Sequence, residues 1–449
     1  MKRSAWRYLW TAPDIRRKLL YTLGLLVIYR LAAHVPVPGV NREVIQNLLS
    51  GGGAAGAFLN LLDLLSGGTV ANFSVLAMGV YPYITAQIIL QILVPIIPSW
   101  KERMEEDPRE GQKWMERWTY ILSVPLAALQ AIGQINLFSA LVPGQQVLRN
   151  FGFSGSALLP SLAVILSMTA GTMFAIWLGE LISEYGLRNQ GLSLIIFAGI
   201  VARMPSNFAR LLSDQQNRWF YLFISLVVLV LTVFLIVYVQ QGRRNIPVMY
   251  PGRRVGMRMS MPVKGQLPLM VNMAGMIPLI FAQSLLALPG VVAGFLLNAK
   301  ADWLANAAAG MQHAFSPTSG WYWLGYFLMV VLFTFFYTDV VFMQQSYGEQ
   351  LRRAGAKIPG VPPGEPTQRY LTKVLRRITL PGALFLGLVA VLPYLLSLLF
   401  PSIAGAGSSG LLLISSAGLL IVVGVVRDIF FFIDAELRLH GYQESLLVR

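Results

Sequence analysis

Residues 67–93 read GGTVANFSVLAMGVYPYITAQIILQIL. From Ser74 to Pro98 the chain carries no Asp, Glu, Lys or Arg. An apolar run of about 18 residues or more is a candidate membrane span, because about 20 helical residues cross the hydrocarbon core. The stretch ahead of it, AFLNLLDLLSGG from Ala57 to Gly68, is also apolar. It is too short to span, holds Asn60 and Asp63, and ends on Ser-Gly-Gly. Such a piece reads as a re-entrant or interfacial half-helix, which survives at membrane depth only where protein or a water-filled cavity surrounds it.

The same signal recurs along all 449 residues. Candidate spans fall at roughly 18–36, 74–98, 118–138, 157–182, 191–205, 218–240, 267–290, 320–343, 378–400 and 410–432. Charged residues make up 12% of the chain, where soluble domains carry about 25%. The fold class is therefore an all-α polytopic membrane protein with ten transmembrane helices. The basic start, MKRSAWRYLWTAPDIRRK, precedes an apolar run that ends in RLAAHVPVPG without a small-residue cleavage pattern. It reads as a retained first span, not a removable signal. There is no cysteine, which excludes disulfides, thiolate metal sites and cysteine nucleophiles.

Lys and Arg in the loops set orientation. Grouping the amino terminus, the loops after each even-numbered span and the carboxyl tail puts 28 of the 35 Lys and Arg on one side. The opposite loops hold Arg42, Arg149, Arg203, Arg210, Arg218 and Lys300. Both termini are expected to be cytoplasmic. The net charge of +15 then reflects topology and a basic inner face, not nucleic-acid binding. Ten spans with both ends inside divide into five and five, and an odd half makes the second half run inverted. The expected units are an amino-terminal segment 1–17, halves 18–205 and 206–432, and a tail 433–449.

Two loops on the basic side exceed what a helix-to-helix turn needs. Residues 241–266 hold Arg243, Arg244, Arg253, Arg254, Arg258 and Lys264 and no acid. NIPVMY and MRMSMPV within or beside it have the composition of short strands. Residues 344–377 contain AGAKIPGVPPGEPT, from Ala354 to Thr367, with Lys357 and then Arg369. Proline and glycine break a helix there. These loops read either as solvated positive-inside loops near anionic lipid or as a docking surface for an acidic partner or ribosomal RNA phosphate.

Catalytic chemistry is missing. His34, His313 and His440 have no ligand spacing, and no HExxH, GxxxxGK[ST] or GxSxG occurs. No catalytic residue, metal site or cofactor is expected. Carboxylates sit at span ends: Glu180, Glu184, Asp339, Asp428 and Asp434, with Asp339 lacking an evident partner. Amides are more frequent. Gln87 and Gln91, and Gln130 and Gln134, are each four apart and share a helix face. Asn272 and Gln283 fall in the seventh candidate span. They suit either interhelical hydrogen bonds of about 0.6 kcal/mol each or a seam that separates and rewets without exposing charge.

Gly67–Leu93 closely resembles a signature of the bacterial SecY family. SEYGLRNQGLSLIIFAGIV (183–201), LPLMVNMAGMIPLIFA (267–282), PGVPPGEPTQRYL (359–371), LLIVVGVVRD (419–428) and YQESLL follow in the family's order. The resemblance implies a protein-conducting channel: two five-helix halves forming a clamshell around a pore. It implies a plug at 57–67, comprising Phe58, Leu59, Asn60, Leu61, Leu62, Asp63, Leu64 and Leu65. It implies a pore ring of Val80, Ile84, Leu192, Ile196, Ile280 and Ile421, and a lateral gate carrying Gln87, Gln91 and Asn272. Aliphatic side chains in a narrow neck exclude ions by dewetting. The basic loops, with Arg243, Arg244, Arg253, Arg254, Arg258, Lys357 and Arg369, correspond to those that dock a ribosome or the SecA motor ATPase. SecE and SecG are the implied channel subunits; signal peptides, nascent preproteins and membrane lipids are the other implied partners. One departure stands out: Pro362 occupies the place of the arginine that normally precedes Pro-Gly-Glu. The rival reading is a ten-span secondary transporter of a small solute, which requires mid-membrane coupling groups that this chain lacks.

Overall fold

The computed structural model describes residues 13–41, 73–94, 96–141, 152, 157–187, 190–212, 218–251, 254–255, 258–259, 263–296, 302–315, 319–345, 347–399 and 416–439. Helices α1 (Pro13–Ala32), α2 (Tyr81–Leu93), α3 (Pro98–Glu106), α4 (Pro108–Leu141), α5 (Leu158–Tyr185), α6 (Gly191–Leu212) and α7 (Arg218–Gln241) come first. Strands β1 (Arg243–Tyr250), β2 (Arg254–Val255), β3 (Arg258–Met259) and β4 (Val263–Met270) follow. The remainder is α8 (Ile277–Leu296), α9 (Asp302–Ala314), α10 (Gly320–Gln345), α11 (Tyr347–Arg353), α12 (Glu365–Leu399) and α13 (Ser416–Leu439).

Each expected span overlaps one of these helices. Among the described residues, five helices are long and apolar enough to cross a bilayer, or six if the bent pair α2–α3 is one broken span. Their outer faces are apolar: Leu324, Leu328 and Leu332 of α10, and Leu380, Leu384 and Leu388 of α12, are exposed at every fourth position. In water such rows would be turned inward. Lipid is the solvent that suits them.

Two span boundaries differ from the sequence expectation. The run 74–98 is not one helix. Residues 73–80 form turns, α2 occupies only Tyr81–Leu93, and the axis turns by 101° into α3, which starts at Pro98. The run 267–290 begins as a strand, since Leu267–Met270 closes β4. A buried strand and the start of a span share one apolar composition, so sequence alone merges them.

β1 and β4 pair antiparallel from Arg243↔Met270 to Tyr250↔Val263. Ile246 and Val248 point inward while their neighbours are exposed, as a period of two requires. AGAKIPGVPPGEPT then joins this hairpin instead of looping free. Met249 and Lys357 exchange backbone hydrogen bonds, N to O, both 2.8 Å. Gly355, Gly360 and Gly364 adopt φ of 66°, 80° and 96°, a region costly for residues with a Cβ. Thr367 Oγ1 donates to the Pro362 carbonyl at 2.7 Å, and Gly348 N donates to Gln368 Oε1 at 2.7 Å. Ile246, Val248, Leu351, Ile358 and Leu371 bury together as a second, smaller core. The two basic loops are thus one folded platform at the start of α12. Its strand edge also seats on that helix: a Cβ on Gly382 would lie 2.6 Å from the Val271 carbonyl oxygen.

Leu371 is fully buried there. Leu371→Ala should cost about 2–5 kcal/mol of local stability. Limited proteolysis checks it, with cleavage between 354 and 364 expected to become rapid in the variant.

Candidate functional site

The main core runs through both halves. It draws Tyr29 from α1, Ile176 from α5, Ile195 from α6, Leu279 from α8, Val330 from α10 and Leu420 from α13 into one cluster. The halves meet at two seams: α8 packs on α2 and α4, and α13 packs on α6.

The six residues expected to line a ring belong to this core or pack on it. Val80, Ile196, Ile280 and Ile421 are buried members of the main cluster, and Ile84 and Leu192 pack against it. Val80 is the residue before α2, with Ile84 N donating to its carbonyl at 3.2 Å. The pair therefore shares a face although only Ile84 is helical. Leu192 also packs on α5, since a Cβ on Gly179 would lie 2.9 Å from its Cδ2. Four helices thus contribute aliphatic groups to one apolar cluster or its border.

The expected polar seam is arranged differently. Gln91 is buried on α2 and Gln87 half-buried. Thr85 Oγ1 donates to the Tyr81 carbonyl at 3.0 Å and accepts from Gln130 Nε2 of α4 at 3.3 Å. Asn272 is not in a span: it lies in the turn before α8, and its Nδ2 donates to the Gly275 carbonyl at 3.0 Å. Among the described residues, Oε1 of Gln91, Gln130 and Gln134 and Oδ1 of Asn272 are buried without a hydrogen-bond partner. A buried oxygen left unpaired carries a desolvation cost of about 1–3 kcal/mol.

Asp339 has a partner after all. Arg376 on α12 approaches it with Nε at 3.4 Å and Nη2 at 2.9 Å. The pairing joins α10 to α12 across 37 positions, a separation local sequence does not reveal. At the other end of the chain, Lys18 of α1 meets Glu436 of α13 at 2.7 Å.

On the platform, Arg243, Arg244 and Lys357 are exposed. Arg352 and Arg353 pair with Glu349, and Arg369 pairs with Glu365 at 2.6 Å. Pro362 is exposed beside them. Arg254 and Arg258 lie on the short β2–β3 pair. The plug residues from Phe58 to Leu65, and Arg253, lie outside the described residues. Among the described residues no group of acids and histidines could hold a metal ion.

A profile of the SecY family matches residues 74–430. The protein translocase subunit SecY of Mycobacterium leprae (strain TN) is 37% identical over 442 residues, covering 96% of this chain and 97% of that protein. The subunit of the same name from Streptomyces coelicolor is 34% identical over 442 residues, covering 97% of each. A solved structure titled as that of a protein conducting channel aligns with a TM-score of 0.63 at 17% identity, over 96% of this chain and 95% of that one. Sec61 in the canine ribosome-channel complex aligns at 0.59 and 16% identity, again over 96% and 95%. The match spans the neck, both seams and the platform, so the chain belongs to the SecY family.

Proposed function

We propose that the aliphatic neck between α2, α6, α8 and α13 is the constriction through which this channel passes unfolded polypeptide. The chain is a multi-pass membrane protein, the channel subunit of a protein translocase, and not an enzyme. The solute-transporter reading has no support among its relatives. One observation carries the proposal: Val80, Ile84, Leu192, Ile196, Ile280 and Ile421, drawn from both halves, belong to or pack on one apolar cluster. Such a collar seals by dewetting and parts around a chain of any sequence, because it offers no specific hydrogen bonds.

The α2/α4–α8 seam, with Gln87, Gln91 and the neighbouring Asn272 turn, is the lateral exit for signal peptides and membrane segments into lipid. Residues 57–67 form the plug. The platform, through Arg243, Arg244, Arg253, Arg254, Arg258, Lys357 and Arg369, docks a ribosome or the SecA motor, which supplies the driving energy. SecE and SecG complete the channel. The membrane is the bacterial cytoplasmic membrane, with both termini inside; the basic-side count supports that orientation.

The absence of cysteine gives a direct test. Single cysteines placed at Ile84, Ile196 or Ile421 should cross-link to a cysteine in a stalled preprotein. One at Leu231, exposed on the outside of α7, should not. Equal cross-linking at Leu231 and the neck would reject the pathway.

A further inference from the structure

The segment just before α2 is held more firmly than its turn-like backbone suggests. Among described residues other than glycine, Phe73 alone has positive φ, at 41°, and its side chain is fully buried. A bulky residue in that region is an outlier that persists only where surroundings impose it. The surroundings are visible. Val37 N donates to the Phe73 carbonyl at 3.1 Å, and Val75 N donates to the Val35 carbonyl at 2.9 Å. Ser74 is buried, and its Oγ accepts from Leu76 N at 3.2 Å. On the other side, Gly171 of α5 touches the Val75 backbone. A Cβ there would lie far inside van der Waals contact with the Val75 carbonyl oxygen and 2.7 Å from Val75 Cγ1. Residues 73–80 are therefore clamped between the exit of α1 and the middle of α5, and they end at Val80.

We infer that Gly171 and the Val35–Val37 edge are positioning residues for the neck, holding residues 73–80 as a strut that sets where Val80 stands. The inference rests on the reading of Val80 as a lining residue. Of the strut only Val80, its last residue, is read as lining the pathway. The strut acts because close-packed interiors transmit displacement instead of absorbing it. A methyl group at position 171 cannot be accommodated by rotating a side chain, since the obstacle is backbone. It must push the strut, and Val80 with it. Val37→Pro acts from the opposite side: it deletes the N–H that donates to the Phe73 carbonyl, between two existing prolines at Pro36 and Pro38.

Parent, Gly171→Ala, Val37→Pro and Ile84→Asn are compared in planar bilayers, each in the complex it purifies with and at equal amounts. The expected result is ion conductance at rest in all three variants, with Gly171→Ala approaching Ile84→Asn. Both strut variants should also export a reporter that lacks a signal sequence. A merely structural defect lowers the amount of folded channel and moves neither readout. If Gly171→Ala fails to accumulate, Val37→Pro decides. Leakage in Ile84→Asn with both strut variants as tight as parent would overturn the strut and leave the neck standing. Tightness in all three removes strut and neck together.

Discussion

Replacing Ile84 or Ile196 by Asn makes the resting channel leak ions and relaxes its demand for a signal sequence. Ile196 is buried in the main cluster and Ile84 packs on it. An aliphatic collar excludes water because a hydrated neck gains no hydrogen bonds from its walls. An amide at that level supplies them. An unpaired buried amide costs about 1–3 kcal/mol, and water entry recovers that cost. The hydrated fraction then rises by roughly ten- to a hundredfold, at about 1.4 kcal/mol per factor of ten. Ile84→Val serves as the control, since it trims volume without adding a polar group. Single-channel recording in a planar bilayer reads the effect. Conductance and substrate selectivity equal to the parent in both Asn variants would sink the ring assignment.

Reversing Arg243, Arg244, Arg253 and Arg254 to Glu weakens binding of ribosomes or of the motor ATPase, most strongly at low salt. Arg243 and Arg244 open β1 and are exposed. Among the described residues neither makes an ion pair, whereas Arg352, Arg353 and Arg369 each have a Glu partner. The unpaired cations therefore carry more of the outward field. Surfaces of one sign raise association rates by roughly 10- to 1000-fold, and reversal forfeits that range. Screening over about 8 Å at physiological salt shrinks the difference. The measurement is binding kinetics across a salt series. Equal association of variant and parent at low salt would refute the docking role. The same series bears on Pro362. Its exposed ring has a fixed φ and no charge, so contact with a polyanion falls more heavily on the β1 arginines.

What could be read from the chain was governed by range. The helices of all ten windows were legible because lipid exposure demands long apolar runs, and these contain few competing signals. The proposed neck rests on resemblance: aliphatic residues four apart occur on every span, so periodicity could not single out Ile84 from Ile88. AGAKIPGVPPGEPT is non-helical as read only through Gly364, since Glu365–Thr367 open α12, and its pairing with β1 was not legible. Met249 and Lys357 lie far apart in sequence, and backbone hydrogen bonds leave no side-chain pattern. Asp339 seemed alone for the same reason, since Arg376 is 37 residues away. Asn272 was misplaced because the apolar strand end Leu267–Met270 looked like the start of a span. The 101° turn after α2 was hidden because a proline run marks a break without giving its angle.

Helix α12 has 35 residues, a rod of about 52 Å, while the hydrocarbon core is about 30 Å thick. Its first turns carry the platform, and farther along it packs on α10 and α13. A load applied at the platform is thus applied to one arm of a lever whose fulcrum lies near the membrane surface. Tilting such a rod by roughly 10° about that point sweeps the end of its arm of about 30 Å through about 5 Å. Because α12 packs on α13, which bears Ile421, a machine docked as proposed would pull on the proposed neck without any ligand, charge or chemical signal crossing the bilayer.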